Sequence, residues 1–160
     1  MTGTRKPVRV MLVDDDDEFR RVMSGELARR GYAVSSVACA AAALAQAADV
    51  DVIVVDLHLP DMDGIQVIEK LRSTGVPAGV LMLTGHGTID TAIQAVRLGA
   101  YDYLEKPCSL DRMEMAIQKA YEHVRLVERQ QVLEDRYRTA DVGLDFIGKS
   151  PALEKVRQAV

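Results

Sequence analysis

Five polar residues sit at the ends of short apolar runs, and their types together suit one kind of chemistry. Asp14 and Asp15 follow Val10-Met11-Leu12-Val13, Asp56 follows Val52-Ile53-Val54-Val55, Thr84 follows Val80-Leu81-Met82-Leu83, and Lys106 follows Tyr103-Leu104-Glu105. If each run is a strand of one parallel sheet, these residues meet at its carboxyl edge, where open α/β sheets place their ligands. Three carboxylates gathered there raise one another's proton affinity unless a cation neutralises them. A hard divalent ion with oxygen ligands does so, and Mg²⁺ suits a site with few protein carboxylates because it keeps several waters. Lys106 adds a positive charge, and Thr84 adds a hydroxyl that can bond one phosphoryl oxygen. A carboxylate in such company can accept phosphate. Asp56 attacks phosphorus in line and forms an acyl phosphate while the cations spread the developing charge. No Walker loop or glycine-rich phosphate fingerprint is present to bind ATP. The phosphoryl group must therefore arrive already activated, for example on a phosphohistidine of a partner. Asp16, Asp17 and Glu18 read instead as a solvated helix start that complements the helix dipole.

The elements that must position these residues are legible as alternation. Strands are expected at residues 8–13, 32–37, 52–56, 80–84 and 102–105, because each is a short apolar run bounded by turn residues. Between them, apolar residues recur at helical spacing over 17–31, 40–48, 64–73 and 89–98, with Gly31, Gly75-Val76-Pro77 and Gly99 as stops. Strict alternation of strand and helix predicts a doubly wound parallel α/β sheet. A last, long helix starts near Leu110. Along it Met113, Ile117, Ala120, Val124 and Val127 step by four and three residues, as in a heptad seam. That seam fits packing against the sheet in its first half, and it also fits pairing with a second copy. Residues 139–145 read as a break, and 146–160 as the start of something new.

Composition narrows the class. A chain of 160 residues suits one domain plus a fragment of another, and 48% hydrophobic content can fill a core. The net charge of −4 leaves no dominant basic stripe for nucleic acid. Cys39 and Cys108 match no metal spacing and offer at most one bridge, so a reduced, cytoplasmic setting is expected. No apolar run approaches a membrane span, and no signal peptide is visible.

From about Arg9 to Val124 the chain resembles the receiver domain of two-component response regulators. The matching pieces are Met11-Leu12-Val13-Asp14-Asp15, Val55-Asp56-Leu57-His58-Leu59-Pro60-Asp61-Met62-Asp63-Gly64, Leu83-Thr84-Gly85 and Tyr103-Leu104-Glu105-Lys106-Pro107. The resemblance implies a receiver domain at 8–124 with a flavodoxin-like (CheY-like) five-stranded (βα)5 fold and an extended last helix. It implies that Asp56 is phosphorylated by a sensor histidine kinase. Asp14, Asp15 and Asp56 would hold Mg²⁺ with the backbone carbonyl of His58. Thr84 would move to the phosphoryl oxygen, Tyr103 would swing from outward to inward, and Lys106, before a cis peptide to Pro107, would bind the phosphoryl group. The surface over 88–124 would change in response. Such a domain is no turnover enzyme beyond its own phosphoryl transfer and slow autodephosphorylation. Cys108 departs from the large apolar residue that many relatives carry after the proline. His58 and His86 stand two residues past Asp56 and Thr84, where they are expected to tune the lifetime of the phosphoryl group. A Zn²⁺ site from that pair lacks a third histidine nearby, since His123 falls on the last helix.

A shorter stretch, Phe146-Ile147-Gly148-Lys149-Ser150-Pro151-Ala152-Leu153-Glu154-Lys155-Val156, resembles the opening of the AAA+ ATPase domain of NtrC-type activators of σ54 RNA polymerase. That resemblance implies a helical linker at 125–145, of a kind that can form a coiled coil, and a truncated AAA+ domain from 146 to 160. The ATPase, the σ54 contact and DNA binding would all lie in further domains. A homodimer is expected, through the long helix and linker or through the 89–124 surface. Two other classes share these parts. An Asp-nucleophile phosphohydrolase of haloacid dehalogenase type attacks from the first strand and needs a cap, for which no insertion is available. A flavodoxin-like FMN binder needs a hydroxyl-rich phosphate loop where this chain has four aspartates, Asp14 to Asp17.

Overall fold

The structure is a computed structural model and describes Gly3 and residues 5–147, with side chains up to residue 139. Among the described residues five strands and five α-helices alternate. They are β1 (Arg9–Val13), α1 (Asp17–Arg29), β2 (Ala33–Val37), α2 (Ala40–Gln46), β3 (Val52–Asp56), α3 (Gly64–Ser73), β4 (Gly79–Thr84), α4 (Ile89–Arg97), β5 (Asp102–Glu105) and α5 (Leu110–Ile147), with a short 3₁₀ turn after α2. The strands form one parallel sheet in the order β2-β1-β3-β4-β5. Chain order reverses between β1 and β3, so the switch point where such sheets bind ligands lies between these two strands.

The sheet is buried on both faces, which is why its central strands are apolar without alternation. All residues of β3 and β4 are buried. Side chains divide by parity. Val10, Leu12, Val52, Val54, Leu81 and Leu83 pack with Leu27 of α1 and with Met113, Ile117 and Ala120 of α5. Met11, Val13, Ile53, Val55, Val80 and Met82 pack with Ala40 and Ala43 of α2, Ile68 and Leu71 of α3, and Ala95 of α4. Each such side chain contributes about 1.5–3 kcal/mol through burial, so the parity of one strand fixes its register against both layers.

Helix starts follow local capping. Asp16 accepts the Phe19 amide at the start of α1, while Asp63 with Gln66 and Thr88 with Thr91 form capping boxes for α3 and α4. The long helix departs from expectation at its far end. Residues 139–145 continue α5 to Ile147 where the sequence suggests a break. The stretch has no proline, and its single Gly143 costs only about 1 kcal/mol in a helix. The seam also resolves in its first half: Met113, Ile117 and Ala120 are buried in the sheet-facing core, whereas Val127 is 40% exposed. Contacts divide the chain between Val124 and Arg125. Most of the stretch carrying the second resemblance, residues 148–156 of 146–156, lies outside the described residues.

Candidate functional site

Register assembles the site. Val13 is paired with Val55 across β1 and β3, so one further step sets Asp14 abreast of Asp56. Asp56 faces Leu83, which leaves Thr84 one step along β4, and the Lys106 amide donates to the Thr84 carbonyl at 2.9 Å. Among the described residues, the buried polar or charged side chains are Asp14, Asp56 and Thr84, at 2%, 9% and 1% exposure. All three stand at this one edge. Burying carboxylates is costly unless a cation or hydrogen-bond donors compensate, and Lys106 supplies the first such compensation here.

The cluster carries a strong negative field with one cation set into it. Carboxylate oxygens of Asp14, Asp15 and Asp56 lie within 4.8 Å of one another. Lys106 Nζ donates to Asp14 Oδ2 at 2.5 Å and to Asp56 Oδ2 at 3.5 Å. Burial, and then repulsion from Asp14, push the Asp56 carboxyl above the ordinary aspartate range despite Lys106. Burial works against the Lys106 ammonium, but Asp14 and then Asp56 outweigh it and hold its pKa above the usual value. The acidic set offers oxygen donors alone, and its one cation bonds Asp14 more closely than Asp56. A hard divalent cation suits such a donor set.

Each expected site residue has a definite place. Asp14, Asp15, Asp56 and Lys106 come together directly. Thr84 ends the adjacent strand, and its hydroxyl accepts the His86 amide at 3.2 Å. The His58 amide donates to Asp56 Oδ1 at 3.3 Å. Both histidine side chains are exposed, and neither joins the carboxylate cluster among the described residues. Tyr103 already lies inward, packed on the core with its hydroxyl buried. The Lys106–Pro107 peptide is cis. Gly64 lets α3 begin hard against β3, because a Cβ there would stand 2.7 Å from the Asp56 carbonyl oxygen.

Two contributors escape the sequence. Phe19 lies under Lys106, with Nζ 4.5 Å from the ring centroid, and Arg20 donates to the Asp14 carbonyl at 2.5 Å. Helical spacing marks Phe19 only as an inward residue of α1, the same signal a plain core residue gives. Arg20 carries no signal at all.

Residues 10–118 match the response regulator receiver domain family. The chain belongs to that family. A receiver domain accounts for the sheet order and for an acidic cluster centred on the end of β3, and it disfavours the phosphohydrolase alternative. The transcriptional regulatory protein DctD for C4-dicarboxylate transport of Rhizobium meliloti (strain 1021) is 36% identical over 153 residues, which cover 94% of this chain and 33% of that protein. This chain thus spans about a third of that relative. The beryllofluoride-activated NtrC4 receiver domain dimer matches with a TM-score of 0.68 at 34% identity, over 72% of this chain and 98% of that one. A response regulator from Burkholderia pseudomallei with a phosphorylated aspartic acid and a calcium ion matches with a TM-score of 0.65 at 30% identity, over 89% of this chain and 87% of that one.

Proposed function

We propose that this receiver takes a phosphoryl group from a sensor histidine kinase onto Asp56 and thereby switches a σ54-dependent transcriptional activator. The observation that carries the reading is the pairing of Lys106 with both Asp14 and Asp56 at the head of the sheet. A carboxylate oxygen of Asp56 attacks phosphorus, the P–N bond of the donor's phosphohistidine breaks, and its electron pair leaves with the imidazole nitrogen. Lys106 is in reach to exchange a carboxylate for a phosphoryl oxygen, and Phe19 holds it there. Thr84 supplies a hydroxyl donor to the same group. Asp14, Asp15 and Asp56, with the backbone carbonyl of His58, would hold Mg²⁺, which when bound neutralises charge on the transferring group. His58 and His86, exposed beside the site, tune water access. Replacing both should change the lifetime of the phosphorylated form several-fold, and an unchanged lifetime removes them from that role.

The activator context draws on the likeness to DctD, a transcriptional regulatory protein, and on the residues at 146–156. In it 8–124 is the receiver, 125–145 a helical linker and 146–160 the opening of an AAA+ domain. The chain works in the cytoplasm as a homodimer, and RNA polymerase and DNA are engaged by further domains. Among the described residues no helix is long and apolar enough to cross a membrane.

The decisive experiment is incubation with acetyl phosphate and Mg²⁺ followed by intact-mass measurement. A single added phosphoryl group of about 80 Da, absent from Asp56→Asn, supports the reading. No adduct, or steady phosphate release from small monoesters, overturns it.

A further inference from the structure

The Tyr103 hydroxyl is buried and has no hydrogen-bond partner among the described residues. What lies against it is Gly87, in the loop between β4 and α4. A Cβ on Gly87 would stand 1.2 Å from the Tyr103 oxygen, 2.5 Å from its Cζ and 2.8 Å from Thr84 Cγ2. Backbone conformation does not demand glycine there, since the glycines with positive φ are Gly31, Gly75 and Gly99. Space alone demands it.

We propose that Gly87 is a positioning residue for Thr84 and Tyr103. By lacking a side chain it opens the inward seat that Tyr103 occupies, and any side chain at 87 closes that seat. The phenol oxygen finds no partner in the seat, so packing alone retains the ring, and the position of the 85–87 loop decides whether it stays. That loop is tied to Thr84 by the bond from the His86 amide to the Thr84 hydroxyl. A shift of Thr84 toward a phosphoryl oxygen loosens this tie and moves the wall formed by Gly87. Only this last step rests on Asp56 being the phosphoryl acceptor; the seat does not.

The test is tyrosine nitration by tetranitromethane with peptide mapping on the full chain, with Tyr137, 76% exposed, as internal reference. Tyr103 should resist nitration in the wild-type chain and react several-fold faster in Gly87→Ala, approaching Tyr137. A Tyr103 still protected in Gly87→Ala overturns the proposal. Thermal melting supplies an independent arm. Gly87→Ala should lower Tm most in the wild-type and Tyr103→Phe backgrounds, because Cζ alone also blocks, and clearly less in Tyr103→Ala, where only the 2.8 Å approach to Thr84 Cγ2 remains. If Gly87→Ala fails to fold alone yet folds with Tyr103→Ala, that rescue supports the seat equally. An equal cost in all three backgrounds overturns it. With acetyl phosphate, Gly87→Ala should still form the Asp56 adduct while its Tyr103 reactivity no longer responds to phosphorylation. A wild-type chain that forms no adduct would sink the acceptor reading and leave the nitration result on Gly87 standing.

Discussion

The surroundings of Asp56 disfavour its charged form. Burial and the neighbouring Asp14 raise its pKa, and Lys106 only partly compensates, bonding Asp14 more closely than Asp56. A carboxyl whose folded pKa lies above its unfolded value of about 3.9 gives the native state more bound protons in the interval between them. Stability then falls as pH rises through that interval. Without divalent cations, Asp56→Asn should therefore melt a few degrees higher than the wild-type chain at pH 7, and the gap should close below pH about 3.9. Added Mg²⁺ should raise the wild-type Tm, as any ligand of the native state does, and raise that of Asp56→Asn less. Calorimetry with EDTA or Mg²⁺ checks both; a less stable Asp56→Asn in EDTA contradicts the argument. Phe19 acts at the same scale. A cation over an aromatic face contributes about 0.5–2 kcal/mol, and here it steadies the Lys106 ammonium beside Asp14 and Asp56. Phe19→Leu keeps the apolar volume and loses the face. It should slow Asp56 modification by acetyl phosphate several-fold, with Tm nearly unchanged, and an unaltered rate assigns Phe19 to packing alone.

Helix starts show how far local sequence carries and where it stops. Asp16, Asp63 and Thr88 cap their own helices from one residue before the start, so α1, α3 and α4 begin where the residues say they do. α2 has no such cap, since Cys39 makes no side-chain bond there. Its first amides, of Ala40 and Ala41, donate instead to Asp61, both at 2.9 Å, from the loop that follows the Asp56 strand. A cap that arrives from a residue 21 positions away leaves no local signature. In the sequence Asp61 reads only as part of a Pro60-to-Gly64 turn. The amides of Ala40 and then Ala41 hold its carboxyl below the ordinary range. The depressed folded pKa gives a stabilising contribution that is complete above pH about 3.9 and lost as pH falls through the folded value. Asp61→Ala should lower Tm by a few degrees at pH 7, and less as the pH drops below that range. Asp61→Asn, still an acceptor, should lower it less. Equal melting of Asp61→Ala and wild type at pH 7 would mean that α2 needs no cap from this loop.

For the molecule as a whole, strand parity made the layers legible. Runs apolar at every position can only be covered on both faces, and the carboxylates at their ends then share one edge. The strand order, and the depth at which Asp14 meets Asp56, come from pairings between distant segments that no single run encodes. The last helix was ambiguous for a different reason. Core packing on a sheet and pairing with a second copy ask for the same spacing, and only burial separates them. Met113, Ile117 and Ala120 are committed to the core of the first unit, so they are unavailable to a partner. In the second unit Leu126, Val132, Leu133 and Tyr137 are more than half exposed on α5, at 59%, 53%, 54% and 76%. A homodimer through the linker has to use these, with Leu126 and Leu133 one heptad apart on the same face. Burying a leucine contributes about 2 kcal/mol, and about 1.4 kcal/mol is tenfold in affinity. Leu126→Glu with Leu133→Glu should therefore weaken self-association by more than about a hundredfold while leaving Asp56 modification intact. By contrast, Ile93→Glu on α4, where Ile93 is 47% exposed, should leave association without phosphate unchanged and act only on the form treated with acetyl phosphate. Analytical ultracentrifugation of the three chains, with and without phosphorylation, distinguishes the two surfaces. A linker double variant that associates as tightly as the wild type places the interface on the first unit instead.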